Sequence, residues 1–527
     1  MSIAQQIVAP VASSACTARA AFRPPCANAT PAQLAAEVTR HFARRAGEPV
    51  LIHYNEYGRR AVTGTDMAKA IELAVAQFEA KRATGARTVI LQLGNKPEFI
   101  VYLMACWLSG LVPLPMSPTY TTEYIIGRLS QRIAGPVLTV RAGAAGERPC
   151  PATIEIIAYR PGKGCAAGER WGYALPTGGT EGNPRICPVP DEDVAKSLHG
   201  LAAIADTAGW RAGQVQGVFG ALDHAASFRF LLLGLRDRNL IVLTDLPDAE
   251  RLVDVMLDER IGWTHLTPVQ MAPMARAPRF RELGSAAWIS GILHTSARCP
   301  RPLKRAWIDV LGADRVTELY SFTEMAGATI ISGRNWLDHP GSVGKGFATQ
   351  VRVLDDNGAA LPAFEVGRVF LRSGLSRSLK HSFMVSGVEM TPSGYYFLGD
   401  YGWVDEDGFL YICGIRERIV DDAGKPIYVD VIEDCIVDAG GVADVCITVC
   451  SRRTGDAGMV AHIVPGPGVR AADALASARS ACADALARSM WPDLWKAHKA
   501  FPRSTAGKVV RAQLSKQVAD AELAGPQ

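Results

Sequence analysis

Long apolar runs are scarce in this chain. The longest, Ile100 to Pro115, is broken by Gly110 and Pro113, whereas a membrane-crossing helix needs about 20 consecutive apolar residues, so no segment reads as a span. The first basic residue is Arg19, and the stretch before it is rich in Ala and Ser; the charged start and apolar core of a secretory leader are missing, and SSAC ending at Cys16 lacks them as a lipoprotein signal would not. Twelve cysteines lie between Cys16 and Cys482 without a CxxC pair or a Cys/His cluster. That excludes a zinc ribbon and suggests reduced thiols of a cytoplasmic protein. A net charge of +4 spread over 527 residues offers no footprint for nucleic acid or a membrane surface. None of the Gly-Lys pairs is followed by Ser or Thr, so a Walker P-loop is absent, and no repeat of solenoid period is visible.

What is there is enough apolar residue, 48% of the chain, to fill more than one core, and a chain of this length should divide into at least two domains. From Gln33 onward helical and strand patterns alternate. Thr65 to Lys81 has helical periodicity, Arg87 to Leu93 reads as a buried strand, and Pro97 to Ser109 as a helix capped by Asn95 with Pro97 in its first turn. Val215 to Gly220, Leu240 to Asp245 and Ile261 to Thr267 repeat the strand pattern, each followed by a helical stretch, which implies a second parallel sheet. From Gly341 the texture changes to short strands and turns. Gln350 to Leu354 and Val366 to Arg372 flank Asn357 and Gly358, pointing to a small antiparallel or barrel-like subdomain. Beyond the charged connector GIRERIVDDAGK come strands at Val442 to Cys450 and Met459 to Val464 and a helix from Ala472 to Met490. The expected fold class is therefore α/β. Residues 1–32 form a loosely ordered lead-in, 33–413 an N-terminal domain of two parallel-rich βα sheets plus the barrel-like subdomain, and 414–527 a small α+β C-terminal lid domain.

Four segments carry the chemical signal. LPTGGTEGNPRICPV (Leu175 to Val189) holds three glycines and two threonines within Thr177 to Gly182, a loop able to bring backbone N–H groups and hydroxyls against phosphate oxygens. It is followed by ELYSFTE (Glu318 to Glu324), GYYFLGDYGWVDEDGFLY (Gly394 to Tyr411) and FPRSTAGKVVR (Phe501 to Arg511). In this order the four resemble the adenylate-forming superfamily of acyl-CoA synthetases, luciferases and adenylation domains, whose members carry TSGTTGxPKG, YGxTE, TGD and PRTxxGK. The resemblance covers residues 35 to 515 or so, and it implies a large N-terminal domain and a mobile C-terminal lid.

It also implies roles. Thr177, Gly178, Gly179, Thr180, Glu181 and Gly182 would surround the β- and γ-phosphates of ATP, with Arg185 where the family has Lys, a planar fork in place of a point charge. Tyr320 and Ser321 would flank the nucleotide, Thr323 would contact the α-phosphate, and Glu324 would hold Mg²⁺, a hard cation suited to carboxylate and phosphate oxygens. Asp400 would accept from both ribose hydroxyls, and Lys508 would be the catalytic cation on the reacting oxygens. His224, in ALDHAASF, falls where acyl- and aryl-CoA synthetases have PxxH, and would serve the acyl pocket and the chemistry there. GILHTSA, with His294, Thr295 and Ser296, takes the place of the GGA-type segment along that pocket. CPRPLKRAWIDVLG and HPGSVGK strengthen the likeness to the branch of bile-acid, carnitine-type and aryl-acid CoA ligases.

The departures cluster in the lid. Ile415 stands where the family has a nucleotide-contacting arginine, leaving Arg416 next to it; the hinge residue is Glu417; Pro426, Val429 and Val431 replace Asn, Pro and Glu; and Leu398 replaces the Thr of TGD. The resemblance thus implies adenylation of a carboxylic acid by ATP with Mg²⁺, and CoA as co-substrate. An acceptor that is a carrier protein or small amine stays open, as does a nucleotide-binding relative with decayed catalysis. Expected partners are the carboxylic acid, ATP and the acceptor, with a homodimer admitted and no nucleic acid.

Overall fold

The computed structural model describes residues 29–121, 136–141, 153–157, 170–176, 186–246, 248–374, 388–415, 419–422, 425–451, 457–503 and 509–522. Its largest sheet has nine strands. In spatial order they are Lys345–Gly346, Ala328–Ser332, Val316–Ser321, Gly291–His294, Trp263–Leu266, Val215–Val218, Leu240–Thr244, Pro49–Asn55 and Gly58–Thr63. From Val316–Ser321 to Pro49–Asn55 every neighbour is parallel, and antiparallel strands close both edges.

The strands are short and apolar because both faces are covered. Alternation sorts them: Ile241, Leu243 and Leu293 pack with the helix Ala225–Arg236, while Val242 and Ile292 pack with the helices Arg251–Asp258 and Arg301–Leu311. A second sheet orders Val112–Pro115, Thr88–Gln92, Val137–Arg141 and Thr153–Ile157, the first three parallel. Between the two sheets runs the helix Pro97–Leu108, in which ten of twelve residues are buried; a helix apolar all round belongs inside. Val89 and Leu91 of the small sheet share one core with Leu231 and Ile241 of the large one.

The cap expected at Asn95 is not there. Lys96 occupies the cap position without a side-chain bond. The Asn95 amide instead donates to the Gly220 carbonyl at 3.0 Å and accepts from Leu222 N–H at 3.1 Å. It ties the small sheet to the loop that leads to His224. Two buried backbone groups 125 and 127 residues away outbid a local cap, because an unpaired buried amide costs more than an open helix end facing water.

Thr349–Leu354, Gly367–Ser373, Tyr396–Val404, Glu389–Met390 and Leu410–Ile415 form a five-stranded antiparallel sheet. The Asn357-Gly358 turn sits at its edge, with Gly358 at φ +84° and the Asp355 carboxylate accepting from Asn357 N–H. Beyond residue 415, the helix Val429–Asp438 and the strands Val442–Ser451, Ala457–Pro465 and Leu494–Ala497 enclose a core of their own, with Ile432, Ile436, Ile447 and Ile463 at its centre. The helix expected to continue to Met490 ends at Ala485. Leu486 turns extended at φ −121° and ψ 146°, and its carbonyl accepts from the Trp491 indole at 3.2 Å. Among the described residues no helix is long and apolar enough to cross a membrane.

Candidate functional site

In parallel sheets ligands bind beyond the carboxyl ends of the strands, and a cleft of about 1820 Å³ opens there. Its walls are the residues that leave each strand: Asp223 and His224 after Val215–Val218, Asp245 after Leu240–Thr244, Thr267 after Trp263–Leu266, Thr295 and Ser296 after Gly291–His294, and Phe322 to Glu324 after Val316–Ser321. The antiparallel sheet adds Gly399, Asp400 and Ile415.

Tyr320, Ser321, Thr323, Glu324 and Asp400 are brought together. The Tyr320 hydroxyl donates to Asp400 Oδ2 at 2.5 Å, across 80 residues of sequence. Burial, and then the Asp400 charge, push the Tyr320 phenol well above its ordinary pKa. It therefore stays a donor, and Asp400 stays the acceptor. Register sets Ile415 directly opposite Asp400, so the apolar side chain that replaces the family's arginine faces the same cleft. Ser321 Oγ donates to the Gly327 carbonyl at 2.9 Å, and Met325 N–H donates to the Phe322 carbonyl at 3.0 Å. These bonds close the turn that presents Thr323 and Glu324. Met325 pays for the tightness with φ +57°, a left-handed conformation unfavourable for a residue with a Cβ. Ser296 does the same at φ +76°.

His224 precedes the helix Ala225–Arg236, and its Nε2 is buried in the cleft wall without a partner among the described residues. His265, which the sequence marked only as part of a strand, is there too: its ring stacks on Phe230 at 5.5 Å and its Nε2 is likewise buried with no partner among the described residues. Burial, and then the neighbouring His294 and His224, hold its pKa down at about 3. Neutral imidazole is thus the form that lines the pocket.

His294 does not line the cleft, although its neighbours Thr295 and Ser296 do. Strand alternation turns it to the face of Ile292, where it is fully buried, with its Nε2 3.9 Å from Glu318. Glu318 also takes the ammonium of Lys304, itself fully buried, at 2.5 Å. Burial alone would raise the Glu318 carboxyl; Lys304 and His294 hold it below its usual range. This pair underlies the strand that ends in Tyr320 and Ser321. The charged letters of ELYSFTE and CPRPLKRAW were visible in the sequence; their pairing was not.

Residues 177–185, with Thr177, Gly178, Gly179, Thr180, Glu181, Gly182 and Arg185, lie outside the described residues, as do Arg416, Glu417 and Lys508. Their flanks are described. Pro176 and Ile186, which precede and follow the glycine-rich segment, stand opposite each other in an antiparallel pair, and both line the cleft. Arg503 and Val509, on either side of residues 504–508, form an antiparallel bridge. Arg511 bonds Glu433 Oε1 and the Ile447 carbonyl, each at 2.7 Å. The glutamate kept in AGKPIYVDVIE thus anchors the last residue of FPRSTAGKVVR. The helix Val429–Asp438 meets the cleft through Asp430 and Asp434. It is held by Arg298, which bonds the Asp430 carbonyl at 3.2 Å and pairs with Asp434, and by Arg301 with Asp438 at 3.2 Å. No group of three His, Cys, Asp or Glu side chains fit to hold a metal occurs among the described residues.

The family model described as AMP-binding enzyme matches residues 38–376. The chain belongs to this family, the adenylate-forming superfamily that its motifs resemble. Among sequence relatives, the long-chain-fatty-acid–CoA ligase FadD13 of Mycobacterium tuberculosis is 24% identical over 284 residues, 53% of this chain and 54% of that protein; the match spans about half the length of the curated relatives. Among solved structures, the anthranilate CoA ligase AuaEII in complex with anthranoyl-AMP superposes with a TM-score of 0.72 at 16% identity, covering 94% of this chain and 98% of that one. The amide bond synthetase McbA of Marinactinospora thermotolerans gives a TM-score of 0.72 at 16% identity, over 93% and 100% of the two chains. The shared fold is thus an adenylate-forming one along nearly the whole chain.

Proposed function

We propose that this protein activates a carboxylic acid with ATP to an acyl-adenylate and passes the acyl group to CoA, working in the cytoplasm. The observation that carries the reading is the convergence in one cleft of the Tyr320–Asp400 pair, the Thr323–Glu324 turn and His224. In the first step a carboxylate oxygen attacks the α-phosphorus and the bond to pyrophosphate breaks. Two anions must meet, so the site has to orient them and spread the charge. Asp400, braced by Tyr320, would accept from the ribose hydroxyls. Thr323 would donate to the α-phosphate, with residues 177–185 around the outer phosphates and Lys508 on the reacting oxygens. Mg²⁺ would supply charge neutralisation on the phosphates. One carboxylate, Glu324, suits it, because this ion is commonly held by one or two carboxylates together with substrate phosphates. In the second step the thiol sulfur attacks the acyl carbon, AMP leaves, and the thiol proton passes to solvent. We assign residues 33–413 to the large domain and 414–527 to a lid whose rotation about Glu417 would separate the steps.

A second reading, transfer to an amine or a carrier-protein thiol, draws on the likeness to an amide bond synthetase and on Val429, which the lid buries in its own core. The test is exchange of labelled pyrophosphate into ATP across a panel of carboxylic acids, followed by presentation of CoA, hydroxylamine and a carrier protein to the adenylate. Exchange with thioester formation supports the CoA reading. Exchange with free acid and AMP released in the presence of CoA, but turnover with hydroxylamine, replaces it with the second. No exchange with any acid in a protein that binds ATP leaves a nucleotide-binding relative without catalysis.

A further inference from the structure

Two basic side chains near the cleft are buried, and the fold treats them differently. Lys304 is paired with Glu318 at 2.5 Å. Arg229, on the helix Ala225–Arg236, is 8% exposed and lines the cleft. Its Nη2 donates to the Thr323 carbonyl at 2.8 Å and its Nε to the Tyr173 hydroxyl at 3.2 Å. Both acceptors are neutral, and among the described residues no carboxylate lies within ion-pair distance of it.

A guanidinium does not escape burial by losing its proton. Held away from water without a counter-charge it is a standing penalty that neutral acceptors only partly offset. Two of its five N–H groups are engaged among the described residues, so the remainder can present a planar fork to an anion. Its placement says where that anion would sit. One engaged nitrogen holds the carbonyl of Thr323, at the tip of the turn that shows Thr323 and Glu324 to the cleft; the other holds Tyr173, on the strand Trp171–Pro176 that leads into residues 177–185.

We propose that Arg229 is an anion-binding residue of the cleft, taking phosphate or carboxylate oxygens beside Thr323 and so supplying the counter-charge to its guanidinium only when substrate is bound. This deepens the function proposed above and rests on it for the two candidate anions, a phosphate of the nucleotide or the carboxylate of the acid. It gives the site a permanent cation that comes from the large domain and needs no lid movement.

The experiment uses the full-length protein with Arg229→Met, which removes the charge at similar length, and Arg229→Gln, which keeps a donor for the Thr323 carbonyl. Binding of ATP, AMP, inorganic pyrophosphate and benzoate is followed by calorimetry, together with thermal unfolding and exchange kinetics. Without ligand, both variants are expected to unfold at or above the wild-type temperature, since an uncompensated buried charge is gone. Affinity for one class of anion should fall about 10- to 100-fold, the worth of a charge-assisted hydrogen bond. Loss for pyrophosphate and ATP identifies a phosphate. An unchanged ATP affinity with a raised KM for the acid identifies its carboxylate. If Arg229→Gln binds every probe within threefold of wild type, or if both variants lose stability without losing affinity, Arg229 is a strut between Thr323 and Tyr173 and the proposal falls. A wild type that binds ATP yet activates no acid overturns the catalytic reading alone.

Discussion

Replacing Glu318 with Gln tests whether the strand Val316–Ser321, which ends at the cleft, is organised by a buried ion pair. The Lys304 ammonium is fully buried and lies 2.5 Å from Glu318 Oε2, over the Trp336 ring at 5.0 Å, with His294 Nε2 3.9 Å from the same carboxylate oxygen. Removing the negative charge while keeping the shape leaves a lysine with no counter-ion in the interior. Breaking a buried pair from one side typically costs about 3–5 kcal/mol. With the Lys304 side chain fully buried and His294 able to offer no negative charge, a loss within that range is expected. Lys304→Met combined with Glu318→Leu removes both charges, and should return stability to within about 2 kcal/mol of wild type or exceed it. Urea unfolding of the two singles and the double variant closes the cycle. A loss below about 1 kcal/mol in Glu318→Gln would show that Lys304 reaches water or sheds its proton at little cost, and the claim of a dry, obligatory pair would be wrong.

Asp400→Ala should weaken ATP binding by about one to two decades and act less on dATP, which offers one ribose hydroxyl to the carboxylate instead of two; equal losses for both would reduce Asp400 to a brace for Tyr320. Stability should also fall on acidification. His265 and His294 are held at about 3 and about 4, first by burial, so below the unfolded value near 6.5 the unfolded chain binds protons that the folded one refuses. Each such histidine removes about 1.4 kcal/mol per pH unit between pH 6.5 and its folded value, and nothing above pH 6.5; His265→Gln should flatten the slope of urea stability between pH 6.5 and 5, and an unchanged slope would mean His265 is protonated when folded. Ser296→Gly should raise stability, because the left-handed φ of +76° at this exposed residue costs about 1–2 kcal/mol and exceeds the extra chain entropy of glycine, about 0.5–1 kcal/mol. A fall in melting temperature would show that the Ser296 side chain holds the segment in place.

What the sequence determined by itself is local. Apolar runs such as Val215 to Gly220 and Leu240 to Asp245 are strands because both their faces must be buried, and Thr323, Glu324 and Asp400, which line one cleft, stood out as candidates because each sits inside a contiguous motif read along the chain. Pairings between distant residues left no such trace. That Pro49–Asn55 enters the large sheet beside Leu240–Thr244, or that Arg229 reaches a carbonyl 94 residues away, follows from which surfaces pack together. The GILHTSA segment shows the division within three residues. Its resemblance to the family's GGA-type segment marked a pocket wall, and Thr295 and Ser296 line the cleft. His294 is turned to the opposite face by the two-residue period of the strand, where Glu318 and Lys304 had already made a polar pocket for it. Asn95 shows it again: proximity to Pro97 recommended a helix cap, and only the tertiary fold brought Gly220 and Leu222 close enough to claim its amide. Sequence fixes which groups are able to do chemistry; the order of strands in the sheet, and the face each residue presents, decides which of them meet, because those follow from non-local burial that no window of sequence contains.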